Sequence, residues 1–175
     1  MTHTTDSTAH LVVEIPDAPT IPGLRFRRWA GPADIPAMWA VAEAARHANG
    51  DDELSTIEQM EHDYAHLTNS DPARDVLLVL VGEELVAYGR VHFEDRADGS
   101  RAFVSFGFVH PDWRRRGIGT AMRSWFEARC LEIGAGQPAD RPRLLAGWSD
   151  EHDPGTTPLL RNAGFTPERR FVHMV

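Results

Sequence analysis

Cys130 is the only cysteine in this 175-residue chain. No internal disulfide can form, so the fold must hold by packing alone, as suits a reducing compartment. Long hydrophobic runs are scarce too. Near the start nothing longer than Leu11-Val12-Val13 occurs, and no basic cluster precedes it. Neither a signal peptide nor a membrane span is therefore expected, and the reading is a cytoplasmic protein with no membrane partner. Positive charge is in deficit: 18 basic against 26 acidic residues give a net charge of -8. That balance argues against general nucleic-acid binding, which draws most of its affinity from a basic surface. No internal repeat is visible, and the length suits one domain with one continuous core. Residues 1–22, with Pro16, Pro19 and Pro22, read as a flexible or loosely docked leader to a domain spanning 23–175.

Against this acidic background one local basic stretch stands out. Val109-His110-Pro111-Asp112-Trp113-Arg114-Arg115-Arg116-Gly117-Ile118-Gly119-Thr120 reads as a hydrophobic strand turning through a glycine-containing loop into an amphipathic helix. A helix start leaves backbone N–H groups unpaired with partial positive charge behind them, so main chain alone can bind an anion. Gly117 and Gly119 let that backbone approach phosphate oxygens closely. Two common phosphate loops do not fit. A Walker A loop needs Lys after its last glycine, where this chain has Thr120, and the dinucleotide fingerprint needs a third glycine where it has Met122. The bland alternative is an ordinary strand-to-helix connection carrying a solvated basic run.

Arg114-Arg115-Arg116-Gly117-Ile118-Gly119 fits the pattern Arg/Gln-x-x-Gly-x-Gly/Ala. It resembles the acyl-CoA-binding motif of the GNAT superfamily of N-acetyltransferases, including the lead-in strand ending in Val-x-Pro. The resemblance extends over roughly Leu24 to Val175 and includes the closing Ala163-Gly164-Phe165. It is closest to single halves of tandem, mycothiol synthase-like proteins, although this chain contains one copy. It implies an α/β fold with a mixed, mainly antiparallel sheet flanked by helices, whose parallel fourth and fifth strands splay apart. It also implies acetyl-CoA as co-substrate, without a metal. Gly107, Phe108 and Val109 would meet the pantetheine arm, and Arg114, Arg115, Arg116, Gly117, Ile118, Gly119 and Thr120 the pyrophosphate.

The element pattern is compatible. Leu24–Trp29 alternates as a half-buried strand, and Ala33–Arg46 has helical spacing. A second helix is expected over Ser55–Leu67, with Ser55 as N-cap and Glu58 as its capping-box partner. Asp75–Val81 and Leu85–Phe93 form a hairpin, followed by the strand Ala102–Val109. After the motif, Ile118, Ala121, Met122, Trp125, Phe126 and Ile133 mark the buried stripe of a helix, with Cys130 on it as a structural thiol. Leu144–Trp148, a short helix to Ala163 and an extended Arg169–Val175 complete the order. The last strand is completed within the chain or by a partner, which leaves a homodimer open.

Amine acetylation needs a base, proximity and a proton for the leaving thiolate. Candidate bases are His92 and Glu94, Ser105, and the segment Ser149, Asp150 and His152, each of which also reads as an ordinary strand-end or loop residue. The tyrosine that often supplies the proton in the family is replaced by Leu160, and its usual helix-capping asparagine by Asp153. Solvent protonation can substitute, because an unperturbed thiol has a pKa near ~8.5. Two acidic clusters, Asp51-Asp52-Glu53 and Asp150-Glu151 with Asp153, predict a cationic small-molecule or peptide amine. His62 and His66, one helical turn apart, imitate a zinc helix but lack its glutamate and a third ligand. An acetyltransferase is thus set against a binding or sensor module that holds acyl-CoA without transfer, and against a nucleotide hydrolase disfavoured by the missing lysine.

Overall fold

The computed structural model describes residues 11–51, 55–149 and 152–168. Six strands form one sheet in sequence order: β1 (Val12–Val13), β2 (Leu24–Arg28), β3 (Val76–Val81), β4 (Glu84–Asp95), β5 (Arg101–Val109) and β6 (Arg143–Gly147). Every neighbouring pair is antiparallel except β5 and β6, which the crossover helix α4 (Ile118–Ala135) makes parallel. This is the expected GNAT-like α/β arrangement. The strands expected as fourth and fifth are β5 and β6, because the short β1 precedes them.

The run Val76-Leu77-Leu78-Val79-Leu80 explains the centre of the sheet. It is buried on both faces, and alternation sends its side chains to two separate cores. Leu77 and Val79 join Ile118, Met122, Phe126 and Cys130 of α4. Val76, Leu78 and Leu80 join Ile35, Met38, Val41 and Ala42 of α1 (Ile35–Ala48), with Tyr64 of α2 (Ile57–Ala65). Cys130 is buried as expected, and burial pushes its thiol up to about 12. Asp34 begins α1: its carboxylate accepts both Arg27 guanidinium nitrogens at 2.9 and 2.6 Å and the Ala30 N–H at 2.8 Å. Burial opposes ionisation there, yet these bonds and the Arg27 charge hold the carboxyl below its usual value.

The structure adds detail at three places. Much of the expected leader is docked: Val12–Val13 pair with β2, Ile15 is buried, and Ala18 and Ile21 pack against the α4 core. The N-cap of α2 is Thr56, whose hydroxyl accepts the Gln59 N–H at 3.1 Å. Ser55 is drawn away instead, donating to Glu43 and accepting from Arg46, both at 2.7 Å. A short helix α3 (Pro72–Asp75) follows, capped by Asp71, and it places Asp75 in a buried ion pair with Arg129 at 2.8 Å. The last helix, α5, covers Thr156–Asn162. The extended piece expected at 169–175 lies outside the described residues.

Candidate active site

The glycine loop is built by backbone conformation more than by side chains. After β5 a 3-10 turn, Pro111–Trp113, leads into Arg115 at φ 62° and Gly117 at φ 85°, two left-handed residues on either side of Arg116. For Arg115 this is a strained region costing on the order of 1–3 kcal/mol, the kind of cost that concentrates at functional sites. Gly117 is the N-cap of α4 and offers no side-chain hydrogen bond. The first N–H bonded back into the helix is that of Ala121, to Gly117 O at 3.1 Å. The amides of Ile118, Gly119 and Thr120 therefore start the helix without intrahelical partners. Arg115 and Arg116 are exposed and pair with no carboxylate among the described residues; Arg116 stacks over the Trp113 ring at 4.7 Å.

Arg114 behaves differently from its two neighbours. Its guanidinium donates to Asn49 Oδ1 at 3.0 Å, Ala45 O at 3.1 Å and Val109 O at 3.3 Å. The side chain thus ties the loop to the C-terminal end of α1 and is spent on that tie. Arg115 and Arg116 keep their charge available.

Gly107, inside the strand run Phe106-Gly107-Phe108-Val109, marks a close approach and not a bulge. Its register with Gly89 is uninterrupted, and a Cβ at Gly107 would lie 2.9 Å from Tyr88 O and 3.1 Å from Met122 Cε. The glycine lets α4 sit close against the sheet.

β5 and β6 part company beside this loop. Their register runs from Arg101 with Arg143 to Ser105 with Gly147, and the Trp148 N–H closes it on Ser105 O at 3.2 Å. β5 continues to Val109. Strand alternation turns the backbone groups of Gly107 and Val109 to the side that β6 has left. Among the described residues the opening is an unpaired strand edge that leads into the N-terminus of α4. Leu160 packs against Gly147 at the end of β6, so no hydroxyl is presented from position 160.

The expected base candidates are scattered. His92 is half-buried on β4, its Nδ1 is buried without a partner, and burial followed by the Arg90 charge lowers its pKa. Glu94 pairs with Arg96 at 3.5 Å. Ser105 is half-buried at the last β5–β6 pair. Ser149 Oγ lies 2.6 Å from Thr157 Oγ1, and His152 is exposed. Asp150 lies outside the described residues, as do Asp52, Glu53 and Glu151. Asp153 is occupied in starting α5, accepting from Gly155 N, Thr156 N and Thr156 Oγ1 at 2.7, 3.1 and 2.7 Å. Of the six carboxylates expected to favour a cationic acceptor, Asp51 and Asp153 fall among the described residues and the other four do not. His62 and His66 are both exposed, with rings 4.3 Å apart, and no cluster of three metal-ligating side chains occurs among the described residues. No described helix is long and apolar enough to cross a membrane.

Sequence reasoning missed Arg90. It follows the buried Tyr88 by two positions on β4, and its guanidinium lies 5.1 Å over the Phe106 ring and 5.8 Å over Tyr64. The signal was a cation at an inward position of an alternating strand.

The geometry can be set beside known proteins. A crystallised GCN5-related N-acetyltransferase from Sphaerobacter thermophilus is 24% identical with a TM-score of 0.70, covering 88% of this chain and 45% of its own. This chain thus spans less than half of that protein. A predicted acetyltransferase from Clostridium acetobutylicum, solved with acetyl-CoA, is 15% identical with a TM-score of 0.63, covering 87% of this chain and 96% of its own. An aminoglycoside acetyltransferase from an uncultured soil metagenomic sample, in complex with trehalose, is 16% identical with a TM-score of 0.59, covering 87% and 95%. No curated protein matches. The sequence model described as the acetyltransferase (GNAT) family matches residues 37–138, from α1 through the glycine loop and α4. With that match over more than half of its length, the chain belongs to the GNAT acetyltransferase family.

Proposed function

We propose that this chain transfers an acetyl group from acetyl-CoA to a primary amine by direct attack in a ternary complex. The observation that carries the reading is the continuity between the open β5 edge beyond Ser105 and the unbonded first-turn amides behind Gly117. An extended pantetheine arm can pair along the first while a pyrophosphate sits on the second. The exposed Arg115 and Arg116 add charge beside it. The amine nitrogen attacks the thioester carbonyl and the C–S bond breaks. His92, held neutral by burial, is the base of choice, and solvent protonates the thiolate. A covalent acyl-enzyme on the single cysteine is disfavoured, because Cys130 is buried with its thiol pushed up to about 12.

Leu160 in place of a hydroxyl donor favours a second reading, an acyl-CoA-binding module that senses without transferring. Calorimetry with acetyl-CoA, followed by thiol-release assays over a panel of small amines and peptide N-termini, tests both. Micromolar binding with turnover supports the transferase. Binding without turnover supports the module, and absence of binding overturns both.

A further inference from the structure

The face from which the amine arrives is set by packing. α4 and the glycine loop cover one side of β5, burying Val91, Phe103, Met122 and Phe126 between them. An acceptor must reach the β5–β6 opening from the opposite side, where alternation places Tyr88, Arg90 and His92 of β4 beside Phe106 and Phe108 of β5. Phe106 is the first β5 residue beyond the pairing with β6, and it is the residue opposite Arg90 in the register. The Arg90 guanidinium therefore lies over β5, one strand spacing from the opening, a distance of about 4.8 Å.

Arg90 is also uncommitted. Its Nε is buried without a hydrogen-bond partner, and it pairs with no carboxylate among the described residues. The two carboxylates whose field reaches it are engaged elsewhere: Asp63 accepts from Gln59 Nε2 at 2.9 Å, and Asp75 accepts from Arg129. Around it, Tyr64 OH and Trp29 Nε1 are likewise buried without partners, and their rings lie 6.1 Å apart. Burial of a guanidinium between two aromatic rings, with its own Nε–H and two further polar hydrogens unsatisfied, is costly unless something accepts from them. A planar, bidentate oxyanion matches the guanidinium fork.

Resting on the transferase reading above, we propose that the acceptor carries a carboxylate close to its amine, in the manner of an amino acid, and that Arg90 binds that carboxylate. The stacking on Phe106 and Tyr64 fixes the plane of the fork, and the neutral His92 two residues along the same strand face meets the amine. Of the acidic clusters expected from the sequence to select cationic acceptors, Asp153 is occupied in capping α5, and Asp52, Glu53, Asp150 and Glu151 lie outside the described residues.

The test compares amino acids of small, aromatic, acidic and basic side chain with their carboxamides, at saturating acetyl-CoA. Thiol release is read alongside the melting temperature that the matching N-acetylated products and their amides produce in the presence of CoA. Wild-type protein is expected to prefer at least one acid over its amide by about ten- to a hundredfold in kcat/KM, the loss expected for one charge-assisted bidentate contact. Arg90→Gln should erase that preference and the acid-specific melting shift, and Arg90→Lys should restore part of it. Both variants should bind acetyl-CoA with wild-type affinity, which verifies their folding. Equal handling of acids and amides by wild-type protein in both readouts would overturn the proposal. So would a preference that survives in Arg90→Gln. Failure of wild-type protein to bind acetyl-CoA would instead overturn the transferase reading on which it rests.

Discussion

Gly89 and Gly107 face each other across β4 and β5, and neither position has room for a side chain. A Cβ at Gly89 would lie 2.4 Å from Phe126 Cζ and 2.5 Å from Phe106 O. The paired gap is what lets Phe126 and Met122 of α4 settle onto the sheet just below the strand edge assigned to pantetheine. Gly89→Ala is expected to destabilise the fold by about 1–3 kcal/mol, the usual cost of overpacking. The check is a lower urea midpoint at unchanged m-value. An unchanged midpoint would mean that α4 sits further from the sheet.

The two glycines of the loop should separate binding from folding. Gly119 is a helical residue whose added Cβ meets only Leu159 at 3.5 Å, and an acidic residue in a first turn suits the helix dipole. Gly119→Asp is therefore expected to keep or slightly raise stability while abolishing acetyl-CoA binding. Gly117→Asp should lose both, because φ is 85° and Pro19 lies 3.2 Å from the new Cβ. Calorimetry and thermal melts on both variants decide. Retained affinity in Gly119→Asp would remove the pyrophosphate from this loop.

His92 gives the pH dependence a sign. Burial, followed by the Arg90 charge, lowers its folded pKa beneath 6.5, so the unfolded state binds the proton first as pH falls. The stability tied to neutral His92 is fully present above pH 6.5 and declines below it, towards the folded pKa. The acid limb of kcat/KM should lie below pH 6.5 in wild-type protein and disappear in His92→Gln. A limb at or above pH 6.5, or one that survives the substitution, assigns the base elsewhere.

Asp75 and Arg129 form a buried pair with side chains 5% and 8% exposed. Arg129→Met leaves the carboxylate uncompensated and is expected to cost about 3–5 kcal/mol. Because the pair lies at α3 and α4, away from the β5–β6 opening, acetyl-CoA affinity of the folded fraction should not move.

The fold and the loop were legible because their signals are local. Six consecutive positions, Arg114 to Gly119, carry the phosphate motif, and the apolar runs of β3 and α4 announce their burial. What stayed hidden depends on contacts distant in the chain. The three arginines looked equivalent until Asn49 and Ala45, 65 and 69 residues away, claimed Arg114. Ser55, the expected cap, is drawn off by its partnership with Glu43 and Arg46, and the neighbouring Thr56 caps α2 instead. Arg90 was masked by the aromatic alternation around it, since only the folded register sets it over Phe106. Arg115's left-handed backbone left no compositional trace at all.

The Arg114 tie couples two parts of the fold that are far apart in the chain. One guanidinium of the glycine loop grips both the end of β5, through Val109 O, and the end of α1, through Ala45 O and Asn49. On the proposed reading, a pyrophosphate seated on the loop should steady the end of α1, and an amine bound against α1 should steady the loop. By thermodynamic linkage the two affinities rise together by the same factor. The two proposed substrates are then expected to bind as a cooperative pair, and severing the tie with Arg114→Ala to leave each binding as if the other were absent.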